Sequence, residues 1–152
     1  MYICVDFDGT LVDHCYPDIG KPVPGAVEWL RRWNKIGGKI ILYTMRSDDN
    51  IDGHVLTDAV DYLREYRIEL YGINHNPDQA NWSKSPKVHA HVYIDDSAFG
   101  CPMIHPRGFV RPCVDWSKVG PEIEDVLVGT RKLHKPLGVA GRLQKLINKS
   151  IK

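Results

Sequence analysis

Two short runs of apolar residues, Tyr-Ile-Cys-Val-Asp at 2–6 and Lys-Ile-Ile-Leu-Tyr at 39–43, constrain the fold more than any other feature of this chain. Continuous runs of this length, ended by polar residues, belong to strands covered on both faces, which is the situation of a parallel sheet. Between them, Pro24 marks a helix start and Gly37-Gly38 its end, and Ala26, Val27, Leu30 and Trp33 recur at helical spacing. The unit is strand, helix, parallel strand. Val55, Leu56, Ala59, Val60 and Leu63 predict a second helix over 54–66. A third strand is expected at Ile68–Tyr71, a fourth at 88–94 and a fifth near Gly108–Val110. Such alternation predicts an α/β fold, a mainly parallel sheet with helices on both faces, whose ligands bind outside the carboxyl ends of the strands.

A chain of 152 residues with 43% hydrophobic content is enough for one core, so a single domain is expected. No apolar run approaches the roughly 20 residues of a membrane span, and the N-terminus begins in a strand rather than a signal sequence, so a soluble, cytoplasmic protein is expected. Cys4, Cys15, Cys101 and Cys113 form no C-x-x-C pair, so a zinc staple is not expected. His89 and His91 share a strand face and read as packing or surface residues. The net charge of +1 conceals an asymmetry: all 19 acidic residues lie at or before Asp125, whereas seven of the 20 basic ones follow it. An acidic body suits a metal cofactor, and the basic tail suits an anionic partner or the body's own surface. The expected division is an α/β core over 1–125 and a basic tail over 126–152. In the tail Val139, Leu143, Leu146, Ile147 and Ile151 predict an amphipathic helix, with Arg142, Lys145, Lys149 and Lys152 opposite.

The first strand ends in Asp6-Phe7-Asp8-Gly9-Thr10-Leu11. An aspartate at a strand end can attack phosphorus as a carboxylate, giving an aspartyl phosphate that water cleaves, so Asp6 is the candidate nucleophile. Asp8, two residues on, can protonate the departing alkoxide and later deprotonate the attacking water. Gly9 permits the sharp turn between them and the helix side of the fold. This hexapeptide resembles the first motif of the haloacid dehalogenase (HAD) superfamily of phosphatases, a hydrophobic strand followed by D-x-D-G-T-[LV]. The resemblance covers about residues 2–116 and implies a Rossmann-like core.

The remaining motifs of that superfamily fall in the required order. Thr44, ending Leu-Tyr-Thr-Met-Arg, is the expected hydrogen-bond donor to a phosphate oxygen, with Arg46 assisting. Lys87 in Ser-Pro-Lys matches the lysine that holds nucleophile and phosphate together; Lys84 is its rival. Tyr-Ile-Asp95-Asp96-Ser97 looks like the acidic motif. The resemblance then implies a Mg²⁺ site made of Asp6, the backbone carbonyl of Asp8 and Asp96, with Asp95 behind them; oxygen donors completed by water suit this ion.

Neither interval between motifs has room for a lid domain, so the chain resembles the capless members, with a flap around Leu11–Val23 carrying His14, Tyr16 and Asp18 as possible substrate contacts. The function implied is a Mg²⁺-dependent phosphomonoesterase acting on a nucleotide, a sugar phosphate or a phosphorylated nucleic-acid or macromolecular substrate. An open site also accommodates enclosure by homo-oligomerisation, and the tail could recruit nucleic acid. The competing reading is a catalytically inactive binding module of the same fold that works through its basic tail.

Overall fold

The computed structural model describes residues 1–48 and 51–131. Six strands and three α-helices follow in the order β1 (Tyr2–Val5), α1 (Ala26–Lys35), β2 (Lys39–Leu42), α2 (Val55–Glu65), β3 (Leu70–Ile73), β4 (Val92–Ile94), β5 (Met103–Ile104), β6 (Cys113–Val114) and α3 (Trp116–Leu127). A 3₁₀ turn at Pro77–Asn81 lies between β3 and β4. The main sheet has the order β3-β2-β1-β4, with every neighbouring pair parallel. Its register sets Ile3 beside Ile40 and Val92, and Val5 beside Leu42 and Ile94.

Strand alternation divides the apolar runs between two faces. Ile3, Val5, Ile40, Leu42 and Ile94 enter the main core together with Leu30 and Trp33 of α1, Ala59 and Leu63 of α2, and Trp116 and Ile123 of α3. Cys4 and Ile41 point the other way, against Val88, Tyr2 and Tyr71. The α-helices therefore cover one face instead of two, and the segment between β3 and β4 covers the other. Handedness accounts for this: β1 to β2 to β3 steps in one direction, so both right-handed crossovers fall on the same side, while the return from β3 to β4 crosses the opposite side. At Gly120 of α3 a Cβ would stand 2.1 Å from the Trp29 ring, so the absence of a side chain there permits the close approach of α3 to α1.

Three expected strands shift for local reasons. Ile68 is not the start of β3. Arg67 adopts φ 57°, the Arg67 amide bonds the Arg64 carbonyl, and the Ile68 amide reaches back to the Leu63 carbonyl. This closes α2 in a Schellman motif with Ile68 as its apolar contact, which delays the strand to Leu70. Strand β4 is shorter than 88–94, because side chains satisfy the preceding backbone: the Gln79 amide oxygen accepts from His89 N, the Asn76 amide donates to His89 O, and the Tyr93 hydroxyl donates to Val88 O. Residues 108–110 form a turn, not a strand; the short antiparallel pair β5–β6 flanks it. Helix α3, which was not anticipated, runs through residue 125, the expected end of the core, and its buried face is part of that core. The predicted tail helix at 139–151 lies outside the described residues. Among these residues no helix is long and apolar enough to cross a membrane.

Candidate active site

The strand order reverses between β1 and β4, and it is there that crevices form at the carboxyl edge of such sheets. Asp6 is the first residue beyond β1, and its amide donates to Ile94 O at 2.9 Å, tying the turn after β1 to the end of β4. Asp95 and Asp96 follow β4 directly. One carboxylate oxygen from each of Asp6, Asp95 and Asp96 lies within 4.8 Å of the others. The structure thus brings Asp95 into the same carboxylate group as Asp96.

Thr10 holds this arrangement together. Its hydroxyl donates to Asp6 Oδ2 at 3.1 Å and accepts from the Asp96 amide at 3.1 Å, and its carbonyl accepts from Trp116 Nε1 at 2.7 Å. Burial pushes the Asp6 carboxyl from an ordinary 3.8 up to about 7, reinforced by the negative charges of Asp95 and Asp96 and opposed by hydrogen bonds from the Phe7 amide and Thr10. A half-buried carboxylate facing two like charges favours a proton or a cation. Three hard oxygen donors at this spacing fit Mg²⁺, which keeps its remaining positions for water and substrate oxygens.

Asp8 takes a different partner. Arg46 Nε donates to Asp8 Oδ2 and its terminal nitrogen to Asp8 Oδ1, both at 2.7 Å, a bidentate fork. The same guanidinium donates to the carbonyls of Pro17 at 2.9 Å and Asp18 at 2.8 Å in the flap, and it lies between the rings of Phe7 and Tyr16. Arg46 is only 2% exposed, and all its nitrogens are engaged by the protein, so it positions Asp8 and the flap instead of facing a phosphate.

Thr44 stands half-buried just past β2, its amide on Asn74 Oδ1 at 2.9 Å and its hydroxyl accepting from the Arg46 amide at 3.2 Å. Asn74 also lines a cavity of about 360 Å³ with Lys84, whereas Lys87 does not line it. The backbone of Lys87 is held by Ser85 and Gln79 on an exposed stretch of the segment before β4.

The flap is present as expected. Val12 bridges to Asp8 and Pro22, the Asp13 amide donates to Lys21 O, and the Val23 amide to Leu11 O. Within it His14 reaches Asp96, Nε2 to Oδ2 at 3.0 Å, while Tyr16 donates its hydroxyl to Asp52 at 2.8 Å. Asp18 contributes its carbonyl to Arg46.

No family model matches the chain, and no curated protein matches it. A solved structure described as that of a conserved protein from Bacteroides thetaiotaomicron is similar at 30% identity, covering 87% of this chain and 93% of its own, with a TM-score of 0.60. The chain belongs to the same family as that protein. The similarity extends over nearly the whole of the Bacteroides chain.

Sequence reading missed Thr10 as the bridge between Asp6 and Asp96, and missed the Arg46–Asp8 fork. Thr10 was visible inside the motif, but its second partner lies 86 residues away. Arg46 is 38 residues from Asp8, and no local pattern connects them.

Proposed function

We propose that this chain is a Mg²⁺-dependent phosphomonoesterase of the HAD type that works through an aspartyl phosphate on Asp6. The observation that carries the reading is the convergence of Asp6, Asp95 and Asp96 at the strand-order reversal, with Asp8 two residues beyond Asp6 and its carboxylate held by Arg46. Asp6 Oδ attacks phosphorus while the bond to the leaving oxygen breaks, and Asp8 supplies the proton that the departing alkoxide takes. Water then attacks the phosphorus of the acyl phosphate, Asp8 accepts its proton, and inorganic phosphate leaves Asp6 as a free carboxylate. Asp6, Asp95 and Asp96 would hold Mg²⁺, which would supply neutralising charge for the phosphoryl oxygens. Thr44 is suited to donate to a phosphate oxygen, and Lys87, with Lys84 as its rival, would supply the cation of the third motif. Four unpaired cysteines suit a reducing, cytoplasmic setting.

The test is release of phosphate from p-nitrophenyl phosphate. Turnover is expected with Mg²⁺, none in EDTA, and a loss on the order of 10³ or more in Asp6→Asn and Asp8→Asn. Activity in Asp6→Asn within twofold of the parent protein would reject the mechanism. A panel of nucleotides, sugar phosphates and 3′- or 5′-phosphorylated oligonucleotides then identifies the substrate class.

A further inference from the structure

The flap carries a residue that the phosphatase reading does not use. His14 Nε2 lies 3.0 Å from Asp96 Oδ2, across the turn that follows Asp6. Several independent features build this contact. Gly9 adopts φ 79°, and a Cβ on it would stand 2.2 Å from His14 Nε2 and 2.6 Å from Asp96 Oδ2, so the imidazole reaches the carboxylate only because position 9 has no side chain. The backbone of His14 is fixed by Asp13, whose carboxylate accepts from the His14 amide at 2.9 Å and from the Val110 amide at 3.0 and 3.1 Å. Asp13 is 2% exposed, and its own amide donates to Lys21 O at 2.8 Å. At the far end of the flap Arg46 holds the carbonyls of Pro17 and Asp18. The flap is thus pinned on both sides of His14, and the ring is aimed at a single partner.

We infer that His14 is a positioning residue for the cation site, donating from Nε2 to Asp96 Oδ2 and so fixing, together with the Ser97 hydroxyl at 3.3 Å from Oδ1, the rotation of that carboxylate. This inference rests on the proposed function. Oxygen ligands of a metal are commonly held by hydrogen bonds from behind, and losing such a partner weakens affinity about 10–100-fold. Asp95 has the corresponding support from the Ser97 amide at 2.8 Å, and Asp6 from Thr10. His14 supplies it for Asp96 from outside the sheet, and this links the seating of the flap to the order of the cation site.

The experiment measures Mn²⁺ binding to the full chain by the electron paramagnetic resonance signal of free Mn²⁺, and Mg²⁺ binding by calorimetry. Expected are a wild-type site, its loss in Asp96→Asn, and affinity about 10–100-fold weaker in His14→Ala. His14→Gln places an amide N–H near the same position and should recover most of the loss, which a merely space-filling role would not predict. Cys15→Ser, a neighbouring flap change, should bind as the parent does. Wild-type affinity in His14→Ala, or equal weakening in the Ala and Gln variants, overturns the inference while leaving the cation site standing. A parent protein that binds no cation, or an Asp96→Asn variant that binds undiminished, instead overturns the proposed site itself and the inference with it. Circular dichroism identifies any variant that fails to fold, and in that case His14→Gln alone decides by matching or missing the wild-type affinity.

Discussion

Burial and the neighbouring negative charges act together on Asp6. The carboxyl is held at about 7 by desolvation, with Asp95 and Asp96 adding to the rise. Because its proton is bound more tightly in the folded chain than in the unfolded one, the folded state holds more protons between pH 3.8 and about 7, and stability falls as pH rises through that window. The cost at high pH is of order 4 kcal/mol at most, from roughly 1.4 kcal/mol per pH unit. Asp6→Asn, which cannot ionise, should therefore melt higher than the parent at pH 8 in metal-free buffer and lose that advantage near pH 4. Parallel melting curves at both values would contradict the assignment. Arg46 presents the opposite case, a buried cation matched by a fork. Arg46→Ala strands Asp8 and unties two flap carbonyls, and it should cost about 3 kcal/mol or more in urea denaturation. Arg46→Lys should recover little, since an ammonium cannot span both Asp8 oxygens.

At the scale of elements, the ends of helices decided more than their interiors. The stripes of α1 and α2 were readable because period 3.6 repeats along the chain. The closure of α2 through Arg67 and Ile68 was not, since the apolar run Ile68–Tyr71 suits either a strand or a capping contact. A non-glycine residue at φ 57° carries a conformational cost, so Arg67→Gly should be neutral or stabilise by up to about 1 kcal/mol, with thermal melting as the measure. Gly120→Ala should do the reverse: the new Cβ meets Trp29, and overpacking of this kind costs about 1–3 kcal/mol. An unchanged melting temperature for Gly120→Ala would mean that α3 can withdraw from α1 freely.

For the whole molecule, the proposed cation site would tie stability to the cation. A ligand bound only by the folded chain stabilises by RT ln(1 + [L]/Kd), so the melting temperature should climb with Mg²⁺ concentration and return to its starting value in EDTA. Ca²⁺ should also raise the melting temperature yet fail to support turnover, because its looser and higher coordination misplaces the nucleophile. A melting temperature insensitive to both ions would remove the cation from the reading of Asp6, Asp95 and Asp96.

Much of this was determined by local order along the chain. The runs at 2–6 and 39–43 meant buried parallel strands, and the helical stripe between them meant a crossover. Asp6 and Asp95–Asp96 each had to stand at a strand's carboxyl end, because each follows an apolar run directly. Such features are periodic or contiguous, and backbone geometry converts them into structure without reference to distant residues. What tertiary structure alone decided depended on segments far apart in sequence. The two right-handed crossovers placed α1 and α2 on one face, and the return from β3 to β4 on the other brought Asp95 and Asp96 beside Asp6. Arg46 was set on Asp8 and the flap, and His14 on Asp96. A side chain's partner is chosen by burial and geometry in three dimensions, where an unpaired charge is costly. The strand pattern could specify the sheet edge, but not which of the residues gathered there would bind one another.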